Sequence, residues 1–122
     1  MDGVTYTVKR LKRNANGTLT LSLNIQGTQG KPVRTEAIGF NGYQPYKDFK
    51  LLDMVNKKRY SMLQDTSGNC LCSELTAEDL TDLAAGKSKD INIKFPLPPA
   101  DLPTITVELP HAEPIEDVPI AN

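Results

Sequence analysis

The sequence predicts an all-β chain: an immunoglobulin-like antiparallel β-sandwich of seven to eight strands with at most one short helix. Three observations support this. Apolar residues recur at every second position in four separate stretches, the spacing of strands with one buried face. Turn residues separate these stretches at short, even intervals. Helix signals occur in one segment only. A length of 122 residues suits one domain, residues 1–122. A small barrel is the main rival architecture. The Cys–Trp–Cys framework of antibody domains is missing, because the chain has no Trp and its two cysteines are two positions apart. The likeness is therefore to the architecture alone.

The first strand begins with Val4, Tyr6 and Val8, interleaved with Thr5 and Thr7. The alternation lapses in Lys9-Arg10-Leu11-Lys12-Arg13, which reads as a solvated strand end. Asn14-Ala15-Asn16-Gly17 is a hairpin turn, since Asn and Gly tolerate positive φ at little cost. Leu19, Leu21, Leu23 and Ile25 then form the clearest strand. Residues 4–13 and 18–26 should pair as an antiparallel hairpin, wet on one face. Residues 27–45 are rich in Gly, Pro and Asn, with room for a short strand at 33–38. A strand is expected at 49–55, a polar turn at 56–58 and a returning strand at 59–63. Residues 65–69 form another turn, and 70–72 a short strand. The helix signal lies at 76–85, with Thr76 as cap, Asp79 in the first turn and Gly86 as stop. The last third alternates again at Ile91-Ile93-Phe95 and Ile105-Val107-Leu109. Seven of the nine prolines lie from Pro96 onward. Proline has no ladder donor, so residues 110–122 should be an edge strand or arm anchored by Ile115, Val118 and Ile120. The expected inner face comprises Leu19, Leu21, Leu23, Ile25, Ile91, Ile93, Phe95, Ile105, Val107 and Leu109.

Charge is unevenly divided. Residues 1–60 carry a net +7 and residues 61–122 a net −8, within a total of −1. In a sheet protein the halves interleave, so much of this should neutralise in space. The densest basic cluster is Lys9, Arg10, Lys12 and Arg13. It is a candidate nucleic-acid surface, but only Tyr6 lies near it and no recognisable module surrounds it. A charged edge that resists strand-to-strand aggregation explains it better. Phe40, Tyr43 and Tyr46 sit in a glycine-rich loop. They form either a candidate binding loop or a cap over the open end of the core.

Little in the chain points to catalysis. His111 is the sole histidine, with Glu113, Glu116 and Asp117 nearby in sequence. It reads as an exposed residue of a proline-rich segment, and no nucleophile motif accompanies it. Gly27-Thr28-Gln29-Gly30-Lys31 lacks the spacing and hydroxyl of a phosphate loop. No catalytic residue, metal site or cofactor is assigned. Cys70 and Cys72 admit three readings: a tight disulfide, two reduced thiols, or part of a soft-metal site. Adjacent same-face positions in an extended strand lie about 6.5–7 Å apart, so a disulfide there requires a curled backbone. Structural zinc would need more ligands than one histidine adds.

Two stretches resemble a known group. One is Asp65-Thr66-Ser67-Gly68-Asn69-Cys70-Leu71-Cys72-Ser73. The other runs from Phe95-Pro96-Leu97-Pro98-Pro99-Ala100-Asp101 through Thr104–Pro110 to Glu113–Ile120. With the strand pair at 51–63, they look like uncharacterised immunoglobulin-like domains of exported bacterial proteins and lipoproteins. Some of these accompany outer-membrane-protein-A-like, peptidoglycan-associated domains. The resemblance covers residues 18–120 but not the loop at 39–46, and it carries no catalytic residues. It implies an extracytoplasmic, periplasmic or secreted setting, and a non-enzymatic binding or accessory module acting on a protein or cell-envelope component. Nothing at the start resembles a signal peptide and no apolar run would span a membrane. Under the resemblance, that means a trimmed mature domain with Met1 added. In that compartment a Cys70–Cys72 disulfide is expected. The alternative function is a nucleic-acid-binding β-domain using the segment Lys9–Arg13.

Overall fold

Alternation along Thr18–Gly27 makes this segment the central strand of one sheet. Its odd-numbered side chains turn inward, and its Thr, Ser and Asn residues turn to water. In the computed structural model, residues 4–28, 49–67, 71–72, 82–109 and 113–121 are described. They contain seven strands: β1 Val4–Arg13, β2 Thr18–Gly27, β3 Lys50–Asp53, β4 Lys58–Tyr60, β5 Ser88–Pro96, β6 Thr104–Glu108 and β7 Ile115–Pro119. They form a three-stranded sheet in the order β1-β2-β5 and a four-stranded sheet in the order β4-β3-β6-β7. Every ladder is antiparallel. This is the immunoglobulin-like sandwich in which the fourth strand stays beside the third and the fifth crosses to the first sheet.

The hairpin of β1 and β2 closes at the turn after Arg13, where the Asn14 N–H donates to Thr18 O at 2.8 Å. Across the sheet, Leu19, Leu21 and Leu23 of β2 face Phe95, Ile93 and Ile91 of β5. These residues, with Ile25, Ile105, Val107 and Leu109, are all buried. Val4, Leu11, Phe49, Leu51, Leu83, Leu102 and Val118 complete the core. The Tyr6 and Phe49 rings meet edge to face, their centroids 5.5 Å apart. Such a pair adds to simple burial.

Several elements differ from expectation. The segment Lys9–Arg13, expected as a solvated strand end, is exposed at Lys9 and Arg10 but not beyond them. A bulge between Val8 and Arg10 inserts Lys9 and shifts the phase, so Leu11 enters the core at 1% exposure. β3 ends at Asp53, before the expected Val55, and β4 is shorter than residues 59–63. Of the helix at 76–85, the described part is one turn at 82–84, and Gly86 ends it at φ 89° as expected. The strand suggested at 33–38 lies outside the described residues. No helix among the described residues is long and apolar enough to cross a membrane.

The opposed halves do meet in space. Lys9 Nζ lies 3.2 Å from Asp90 Oδ2, and Arg59 Nη2 lies 3.5 Å from Glu108 Oε2. Both pairs are largely exposed and add little stability.

Candidate binding groove

Both sheets end on the same side of the sandwich, one with β1 and the other with β7. The two edge strands run parallel and touch at Lys12 and Ala121. There the Arg13 N–H donates to Ala121 O and the Ala121 N–H to Leu11 O, each at 2.8 Å. Further toward their N-termini, among the described residues, neither strand has a neighbour on its outer side. A groove of about 590 Å³ opens between them. Its apolar lining includes Tyr6, Val8, Leu11, Ile115 and Val118.

Two irregularities shape this groove. The bulge at Lys9 turns the β1 edge, and a second register shift lies where β7 passes between Ile105 and Val107 of β6. Asp117 of that stretch has φ 55°, a left-handed conformation that Asp and Asn adopt more readily than most residues. The bulges leave opposite charge on the two rims. Lys9 and Arg10 are exposed on one side, Glu116 and Asp117 on the other. Asp90 supports the basic rim from β5. Its carboxyl is held below the usual carboxylate range, first by the Asn24 side-chain amide and then by Lys9.

The four basic residues singled out in sequence lie in different surroundings. Lys9 pairs with Asp90, and Arg10 is exposed on the rim. Lys12 is half-buried on the bridge to Ala121. Arg13 follows the phase of Leu11 and turns to the proline-rich connection between β5 and β6. Its guanidinium donates to Pro98 O at 2.9 Å, Pro99 O at 2.8 Å and Leu102 O at 3.0 Å. Prolines bring carbonyls without matching N–H groups, and the multi-donor guanidinium satisfies two of them together with the Leu102 carbonyl. Sequence reasoning took Arg13 for a surface cation. Its place two residues beyond an apolar residue, next to a turn, was the available signal.

Phe40, Tyr43, Tyr46 and His111 lie outside the described residues, as does Cys70. Cys72 is half-buried and bridges to Ile93 at the outer edge of β5. Around it the Leu63 N–H donates to Lys94 O and the Lys94 N–H to Leu71 O, so this segment covers part of that edge. No free cysteine is found among the described residues. Those residues also contain no group of three His, Cys, Asp or Glu side chains placed to hold a metal ion. No family model, curated protein or solved structure matches the chain.

Proposed function

We propose that the chain is a non-enzymatic binding or accessory module that seats an extended segment of a partner protein between β1 and β7. The groove between two edge strands carries this reading. An extended segment can place alternate apolar side chains over Val8 and Ile115 and use the strand edges for main-chain hydrogen bonds. The rims favour a segment of mixed charge, acidic where it passes Lys9 and Arg10 and basic where it passes Glu116 and Asp117. A displayed library of short extended peptides tests it. Retained peptides should alternate apolar and polar residues, and Val8→Asp or Ile115→Asp should reduce retention at least tenfold. Both residues are half-buried and pack against the core, so a melting curve for each variant must show that the fold is kept. Retention unchanged in both variants, or no enriched pattern, would refute the groove as the site.

The resemblance supports an extracytoplasmic setting, and with it a bond between Cys70 and Cys72. The chain has no other cysteine, and Cys72 sits at a covered strand edge. The closed loop is tiny, so its chain-entropy contribution is below the roughly 3 kcal/mol of a 15-residue loop. The double change Cys70→Ser with Cys72→Ser should leave the domain folded with a modest fall in melting temperature. Intact-mass measurement after alkylation without reduction should find no adduct on protein from an oxidising compartment. Two adducts would defeat the pairing.

A further inference from the structure

We propose that the tip of the β3–β4 hairpin docks on an anionic lipid surface. The tip lies on the strand edge opposite the groove, since the sheet order runs from β4 to β7. Met54 is 70% exposed and Val55 78% exposed, the two most exposed large apolar residues among those described. Lys57, Lys58 and Arg59 follow directly, all exposed. Two aliphatic side chains at a hairpin apex with adjoining cations suit the boundary between headgroups and acyl chains.

The turn is built to hold this display. Asp53 is buried at 1% exposure. Its Oδ1 accepts the N–H groups of Val55 and Asn56, each at 3.0 Å, and its Oδ2 accepts from Asn56 Nδ2 at 2.7 Å. Lys57 completes the turn at φ 56°. The Asn56 N–H, foremost among these bonds, holds the Asp53 carboxyl below its ordinary range. The turn therefore keeps the stability from these bonds above the normal carboxylate range and loses it only as pH falls through the lowered value. Across neutral and mildly acid pH, Met54 and Val55 stay outward.

A lipid surface fits better than a protein partner. A stable protein interface buries about 800 Å² on each side, more than two aliphatic side chains and a short turn offer. Near an anionic leaflet, each Lys or Arg raises affinity about fivefold. Of these cations, Arg59 pairs with Glu108 at 3.5 Å and Lys58 lies opposite the buried Asp53 in the hairpin register. Nothing in this depends on what occupies the groove.

Co-sedimentation with phosphatidylcholine–phosphatidylglycerol vesicles, against pure phosphatidylcholine, is the test. The intact chain should bind the mixed vesicles and not the neutral ones. Met54→Asp with Val55→Asp, and separately Lys57→Glu with Lys58→Glu, should each reduce binding at least tenfold. All four side chains are exposed, and unchanged melting curves confirm that the variants fold. Equal binding to neutral vesicles, no binding to either, or binding insensitive to the apolar double variant would overturn the proposal. So would retention on single-stranded DNA in place of vesicles, which would assign the cations to nucleic acid.

Discussion

Phe95→Ala is expected to cost about 3–5 kcal/mol, the largest loss from any single truncation in the core. Phe95 is fully buried in β5, opposite Leu19 of β2, and is one of the two largest fully buried side chains. Truncation removes both its transfer free energy and its contacts with the facing sheet. β5 is held in its ladder by Thr18–Gln26 on one side, so it cannot collapse into the void. A domain of this size has a total stability of about 5–15 kcal/mol, so the loss is a large share of the whole. Urea unfolding should show a lower midpoint at an unchanged slope. A loss under about 1 kcal/mol would mean that the two sheets can close over the gap, against the packing described here.

Gly27→Ala should be nearly as damaging for a different reason. Gly27 ends β2 and donates its N–H to Lys87 O at 2.9 Å. A methyl group there would overlap the carbonyl and Cα of Leu83. Those atoms are backbone, and Leu83 is itself fully buried. The turn that carries it is closed by bonds from the Gly86 N–H to Leu83 O and the Lys87 N–H to Asp82 O, so it cannot simply swing away. Overpacking of this kind costs about 1–3 kcal/mol, sometimes more, and the upper part of that range is expected. Gly17→Ala separates space from backbone conformation, because nothing crowds a side chain there but φ is 85°. Thermal melts should rank Gly27→Ala well below Gly17→Ala. The reverse order would show that the 82–86 turn yields easily.

The candidate surfaces were only half legible in the chain. Ile115 and Val118 stood out as anchors of a terminal strand, and Lys9–Arg13 as a basic run. Nothing in either segment announces the other, roughly a hundred residues away. The Lys12–Ala121 bridge brings them together, and a single inserted residue at Lys9 decides which of the cations reach the rim. The hairpin tip went unseen because Met54 and Val55 continue an apolar run that reads as strand. The Asp53 carboxylate ends that strand by accepting the N–H groups of Val55 and Asn56, and the apolar pair is left in water. An Asp three residues before an Asn was the local sign.

The sequence by itself determined the β class, the first hairpin and the inner-face residues of β2, β5 and β6. These rest on period-two alternation and turn chemistry, which are local. A one-residue slip would carry a whole apolar set into water, so the pattern also fixes which face is buried. Only the tertiary structure decided the three-and-four division of strands, the bulges, the inward turn of Leu11 and Arg13, and the meeting of β1 with β7. Pairings such as β2 with β5 join segments about seventy residues apart. They are selected by the summed packing of two sheets and by carbonyls that need donors, and no short stretch of sequence contains that information.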